Sequence, residues 1–299
     1  MSLIFQLPEN DGGYCNQLWR FLGNYLVAQK FKKTFILDDS VWIFKNKDGW
    51  SDYFNSVLLK RNCKSIEKPI YKQILLQKLP QFTLSQYRQA FEKIMILNSS
   101  LQTKLDNIMK KFNLENNKFD AIMIRRGSKL FEESYLIKIE AFLNKLIEKD
   151  TKIIFLQTDD YDCYDELKDI IKKRNLDIKL YTICPEYKRG GTTVYSRELD
   201  YIKKNIHKSR NRGYINNFVK KIKKSEQDYT PEEMKIHMEE MIVGLEICLL
   251  SRYLSTDLQS NITRMLYTRH NNPNNVLTTC RSLRPKFNIR LRNPAYGFY

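Results

Sequence analysis

The 299-residue chain has no apolar run of about 18 residues, so nothing in it reads as a membrane-spanning helix. Its opening, MSLIFQLPENDGG, has only a short apolar patch that turns acidic, which argues against a signal peptide. The expectation is a protein that stays soluble where it is made, in the cytoplasm, or the host cytoplasm if the gene is viral. There is no CxxC, and the six cysteines are scattered. His207, His237 and His270 lack any Cys or Asp spacing suited to a metal, so neither a disulfide framework nor a metal site is expected. GxSxG, HExxH and GxxxxGK[ST] are all missing, which argues against a hydrolase triad and a P-loop kinase.

What the chain has in excess is positive charge. Lys and Arg number 51 against 34 Asp and Glu, a net +17 that attracts polyanions: nucleic acid, anionic membrane surfaces or nucleotide-linked substrates. Much of it lies in the runs between 203 and 224 and in RSLRPKFNIRLR near the end, where the plain reading is a solvated basic surface. The wealth of Lys, Asn and Ile fits an AT-rich genome of the viral or parasitic kind.

Periodicity gives the organisation. Residues 3–7 read as a buried strand, 8–13 as a turn, the apolar positions from Asn16 to Phe31 as a helix and 34–37 as a second strand. The stretch 38–80 has no clear pattern, and 83–97 and 100–112 read as helices. Strands at 120–125, 152–157 and 177–183 then alternate with helices at 134–149 and 161–173, the pattern of parallel crossovers. Residues 185–229, with Gly190 and Gly191, read as a long loop holding one or two short helices beside the ligand cleft. Thr230, Pro231 and Glu233 mark a helix start, and that helix should run to about residue 253. A short strand at 254–258 and a helix capped by Ser260 follow. The domains expected are 1–115, an N-terminal α/β half, and 116–299, a Rossmann-like half.

In open α/β sheets ligands gather beyond the carboxyl ends of the strands. Arg125, Arg126 and Lys129 follow the strand at 120–125 and suit a pyrophosphate, unless they are only a solvated strand end. Asp159 and Asp160 follow the next strand, where they can orient a cation such as Arg125 or cap the helix after them; metal binding is the lesser reading. Ser260 and Asn261 open the last helix, where free N–H groups and the dipole make either an anion site or a plain cap. The turn GGYCNQ at 12–17 is either a cleft-forming turn, which places Gly13 and Tyr14 against a ligand, or simply a helix start. The three strand-end groups together favour a diphosphate.

Read together, four stretches resemble the α1,6-fucosyltransferase family, which includes the enzyme that fucosylates the N-glycan core and the bacterial nodulation fucosyltransferases. They are GGYCNQLWRFLGNYLVAQKFKKTFILDDSVW, MIRRGSK, FLQTDD and VGLEICLLSRYLSTDLQSNITRMLY, and they occur in the family's order over about a third of the chain. MIRRGSK is similar to the family's His-x-Arg-Arg-x-Asp-Lys.

The resemblance implies two Rossmann-like halves facing a cleft, the GT-B type, with the donor held by the C-terminal half and the acceptor on the N-terminal side. It implies metal-independent transfer of fucose, with inversion, from GDP-fucose to a glycan acceptor, with no cofactor and no nucleic-acid partner. By the same resemblance Arg125 holds the β-phosphate, Arg126 and Lys129 support the diphosphate, and Ser260 and Asn261 donate to phosphate. Val243 and Glu246 stand at the nucleoside, and Glu133, with Glu132 beside it, is the base. Two positions depart from the pattern: Met123 stands where the family has His, and Ser128 where it has Asp. The competing readings are a transferase for another GDP-sugar and a basic nucleic-acid-binding protein, the latter disfavoured because no interleaving of aromatics with the basic runs and no nucleic-acid motif occurs.

Overall fold

Strand β1 (Ser2–Gln6) pairs in parallel with β2 (Thr34–Asp38), Phe5 opposite Leu37, and the helix between them, α1 (Tyr14–Lys30), makes the crossover. The computed structural model describes residues 2–7, 13–55, 82–126, 136–191, 196–205, 212–221 and 225–279. The chain divides into two compact units, the first built on Met1–Gln102 and the second on Thr103–Arg281.

The first unit is held by aromatic packing. Phe21 of α1 stacks on Phe35 at 5.5 Å and meets Trp50 edge-on at 5.0 Å, and Trp19 packs against Tyr87 and Phe91 of α2 (Leu84–Ile94). The stretch at 42–54, which shows no periodicity in sequence, supplies Trp42, Phe44, Trp50, Tyr53 and Phe54, all essentially buried. It is fixed by specific hydrogen bonds: the Trp42 indole donates to Gln17 Oε1 at 2.8 Å and the Trp50 amide to Asp39 Oδ2 at 2.6 Å. Gly49, at φ +64, sits where a Cβ would fall 2.1 Å from the same Asp39 oxygen. A core assembled from irregular backbone carries no period to read.

In the second unit α3 (Ser99–Lys111) is followed by strands β3 (Asp120–Ile124), β4 (Ile153–Thr158), β5 (Lys179–Thr182), β6 (Leu254–Thr256) and β7 (Val276–Thr278). Every pairing is parallel, and the spatial order is β5-β4-β3-β6-β7. In chain order that is 3-2-1-4-5, the doubly wound arrangement, whose direction reverses between β3 and β6. β3 is buried at every residue, as a central strand covered on both faces must be.

One face is covered by α4 (Ile139–Ile147) and α5 (Asp162–Lys173), which bury Ile139, Phe142, Leu143, Leu146, Leu167 and Ile171 against Ile122, Ile124, Ile154 and Leu156. Between β5 and the long helix lie α6 (Ser196–Asn205) and α7 (Arg212–Lys221). The long helix α8 (Pro231–Leu249) packs on β3 and β4. Thr230 opens it with a full capping box: its hydroxyl accepts from the Glu233 amide at 3.2 Å while Glu233 accepts from the Thr230 amide at 2.7 Å. Its Gly244 faces Gln157 of β4, where a Cβ would lie 1.8 Å from Oε1, so glycine permits this close approach of helix to sheet. The last α-helix among the described residues is α9 (Asn261–Arg269).

Cys15, Cys163, Cys184 and Cys248 are buried, and none of the four is in a disulfide. Among the described residues no helix is long and apolar enough to cross a membrane, and no group of three or more His, Cys, Asp and Glu could hold a metal ion.

Candidate active site

The reversal of strand order fixes where a ligand can gather. β3 and β6 are neighbours with Met123 opposite Thr256, so the chain leaves both strands at the same edge of the sheet. Arg125 and Arg126 follow β3 there, and Asp257 to Ser260 follow β6 into α9. Ile124 is opposite Thr158, which brings Asp159 and Asp160 to that edge as well.

Asp159 ties the end of β4 to the end of β3. Its Oδ1 accepts from the Arg126 amide at 2.7 Å and its Oδ2 from Arg125 Nε at 3.3 Å. Arg125 keeps a fifth of its side chain exposed, whereas Arg126 is 5% exposed and turns its Nη2 inward to the Ile137 carbonyl at 3.2 Å. Arg125 is therefore the cation presented outward, and Arg126 a buried charge behind the strand end.

Asp160 serves the backbone. Its Oδ1 accepts from the Asp162 amide at 3.0 Å, and from the Gly190 amide at 2.7 Å. The helix cap position itself is Tyr161, with no side-chain cap. Burial pushes the Asp160 carboxyl up to about 6, with the charges of Asp162 and Asp159 adding to the rise against those two amides. Gly190 and Gly191 both lie at positive φ, near +90, which lets the turn present its amide to a buried carboxylate.

The head of α9 is built in the same manner. Ser260 is buried and its Oγ accepts from the Thr263 amide at 3.3 Å. Arg264, 6% exposed, donates through Nε to the Leu258 carbonyl at 3.0 Å, through Nη2 to that of Gln259 at 3.0 Å and through Nη1 to Asn261 Oδ1 at 3.2 Å. Asp257 accepts from the Gln259 amide at 2.7 Å; burial raises its carboxyl against the pull of that amide and of Arg126 and Arg264. The loop is thus held by a guanidinium that no sequence motif marks.

The other residues named from sequence are placed as follows. Val243 is fully buried in α8. Glu246 gives both carboxylate oxygens to Arg269 of α9, at 2.5 and 2.9 Å, so any ligand there shares it with that arginine. In the first unit Gly13 precedes α1 with its carbonyl accepting from Asn16 and Gln17, and the Tyr14 ring packs on Trp42 and Phe44 at 6.3 and 6.1 Å. Lys129, Glu132, Glu133 and Ser128 lie outside the described residues.

One residue that builds the site, Arg264, went unnamed in the sequence. Lys188 and Glu226 lie in the region read as a long loop, within short 3-10 turns, Glu186–Lys188 and Glu226–Asp228.

The fold is similar to that of solved fucosyltransferase structures. No protein-family model and no curated protein matches the chain. A crystal structure of NodZ α1,6-fucosyltransferase soaked with GDP-fucose matches with a TM-score of 0.52 at 9% identity, over 89% of this chain and 91% of that one. A crystal structure of fucosyltransferase NodZ from Bradyrhizobium matches with the same score at 10% identity, over 88% and 91%. At such identities the likeness is one of fold.

Proposed function

We propose that the chain is a glycosyltransferase that transfers fucose from GDP-fucose to a glycan acceptor, with inversion and without a metal. The observation that carries this is the meeting, at one edge of the sheet, of Arg125 after β3 with the head of α9 after β6. A helix head offers N–H donors and the positive end of a dipole, and an arginine pairs with phosphate oxygens, so the two together suit a diphosphate. The shared fold and the four ordered sequence stretches support the same reading.

Direct displacement at the anomeric carbon needs a carboxylate near the acceptor hydroxyl and cations that stabilise the departing GDP. In this reading Arg125 is the main stabiliser of the leaving group, held by Asp159. Arg126 and Lys129 add positive potential, and the backbone at Ser260 and Asn261 donates to phosphate. Glu246 serves the nucleoside with the buried Val243 behind it in α8, Glu133 is the base, and Gly13 and Tyr14 take part from the N-terminal half. Residues 1–115 take the acceptor and 116–299 the donor, in the cytoplasm, that of the host for a viral gene. Met123, where the family motif has His, favours a second reading: the same chemistry with another GDP-sugar.

A ligand that binds only the folded state stabilises it, by about 2.7 kcal/mol at a hundredfold excess over Kd. A thermal-shift panel of nucleotide sugars is the test. Selective stabilisation by GDP and GDP-fucose is expected; GDP with a different sugar points to the second reading, and indifference to every guanine nucleotide ends both.

A further inference from the structure

One residue of the five-stranded sheet is buried with a polar atom unmatched, and it has no part in the roles above. Gln157, on β4, is 7% exposed, and its Oε1 is buried with no hydrogen-bond partner among the described residues. Ile122, Ile124, Ile154 and Leu156 face α4 and α5, so by alternation Met123 and Gln157 point to the other face of the sheet, where α8 packs. There Gln157 meets Gly244 of α8. A Cβ on that glycine would fall 1.8 Å from Oε1 and 2.4 Å from Cδ, so the amide occupies the space a side chain would need.

Two local rules are broken at this one contact. Glycine is a weak helix former, yet Gly244 stands inside a helix of 19 residues. A buried carboxamide forfeits its bonds to water, and Oε1 gains none in exchange. A pair of apolar side chains would close the same gap without either cost. Stability therefore does not account for the amide, and breaks of this kind are expected at functional sites.

The position of Gln157 says what it can meet. Gln157, Met123 and Thr256 lie in one row across β4, β3 and β6. The Thr256 hydroxyl donates to the Met123 carbonyl at 3.0 Å and Met123 is apolar, which leaves Gln157 as the one of the three with an unmatched polar atom. Two residues further along the same strands, Asp159 and Arg125 meet at 3.3 Å. Two residues of extended chain span about 7 Å, so the amide lies one such step beneath the pair assigned to the diphosphate. In a nucleoside diphosphate the ribose follows directly on the phosphates and the base on the ribose. A nucleotide whose phosphates engage Arg125 and whose nucleoside turns toward α8 therefore carries O–H and N–H donors to the depth of Gln157.

We propose that Gln157 is a specificity-determining residue of the donor site: its Oε1 accepts a hydrogen bond from the nucleoside, and Gly244 keeps room for the amide beneath α8. This rests on the diphosphate reading of Arg125 and adds to it a contact that phosphate alone cannot make.

Calorimetric titration of the full chain with GDP and with inorganic pyrophosphate, which has the phosphates without the nucleoside, tests it. In Gln157→Met, affinity for GDP should fall about five- to tenfold, the scale of one neutral hydrogen bond, with affinity for pyrophosphate unchanged. The midpoint of chemical denaturation should hold or rise, because an unmatched buried amide has been removed. Gln157→Ala, too small to crowd Gly244, gives the same two affinities if the methionine variant does not fold. Unchanged GDP affinity, or an equal loss for GDP and pyrophosphate, overturns the proposal and leaves the function standing. So does a lowered midpoint in Gln157→Met, which would show the amide satisfied in the free protein. Failure of the unaltered chain to bind GDP overturns the function and this proposal together.

Discussion

Strand β3 carries an Arg–Asp pair at each end, and the two are built differently. At the amino end Asp120 is 1% exposed and receives Arg252 through Nε at 3.1 Å and Nη2 at 2.8 Å, with the Tyr253 amide as a further donor at 3.2 Å. Arg252 also reaches the Lys149 carbonyl at 3.3 Å. At the carboxyl end Arg125 meets Asp159 side-on through Nε at 3.3 Å, because the other Asp159 oxygen is committed to the Arg126 amide. The first is a two-pronged fork that locks β3 to the start of β6; the second touches Asp159 through Nε alone. The same residue types form a bidentate clasp at one end of the strand and a side-on contact at the other.

Four substitutions break or sharpen this contrast. In fucosyl transfer assayed with GDP-fucose, Arg125→Ala should lower the rate at least about 100-fold, the scale of losing one well-placed electrostatic donor, with little change in the unfolding midpoint. Near-normal turnover would show that Arg125 is no such donor. Asp120→Ala should do the reverse: it leaves a guanidinium and a backbone amide without their acceptor, and chemical denaturation should show a loss of about 2.5 kcal/mol with GDP affinity unchanged.

Asp160 tests the carboxyl edge by pH. Its folded-state value, raised to about 6, exceeds that of an unfolded aspartate, so between the two the native state binds more protons and stability falls as pH rises. Asp160→Asn keeps an acceptor for the Asp162 and Gly190 amides and removes the buried charge. It should stabilise the protein by about 2 kcal/mol at pH 7.5, an advantage that fades on acidification and is gone near pH 4. An advantage independent of pH would assign the effect to packing. Smallest is Arg252→Lys, which keeps the charge and loses the fork. Because the arginine side chain is 40% exposed, denaturation should register only about 1 kcal/mol.

Much of the second unit was legible. β3 and β4 stood out because central parallel strands are covered on both faces and read as continuous apolar runs, and Thr230 with Glu233 announces α8 through chemistry confined to one turn. Three-residue strands such as β7 carry too little pattern to be read, and the one or two short helices expected within 185–229 are those at 196–205 and 212–221. In the first unit, Trp42, Trp50 and Tyr53 are core residues without a period, since turns and one four-residue 3-10 helix, Gly49–Asp52, rather than a long helix or strand, aim their rings.

By itself the sequence determined which strands are parallel, where α8 and α9 begin and which residues stand at the strand ends, because these depend on local composition and on the rule that ligands gather at carboxyl edges. Only the tertiary structure decided that β3 lies beside β6, that Arg125 faces outward while Arg126 is buried, and that Gln157 of β4 faces Gly244 of α8. Strand order and side-chain burial arise from contacts between residues more than 100 positions apart in some cases, such as Asp120 with Arg252, and no local pattern encodes such a meeting.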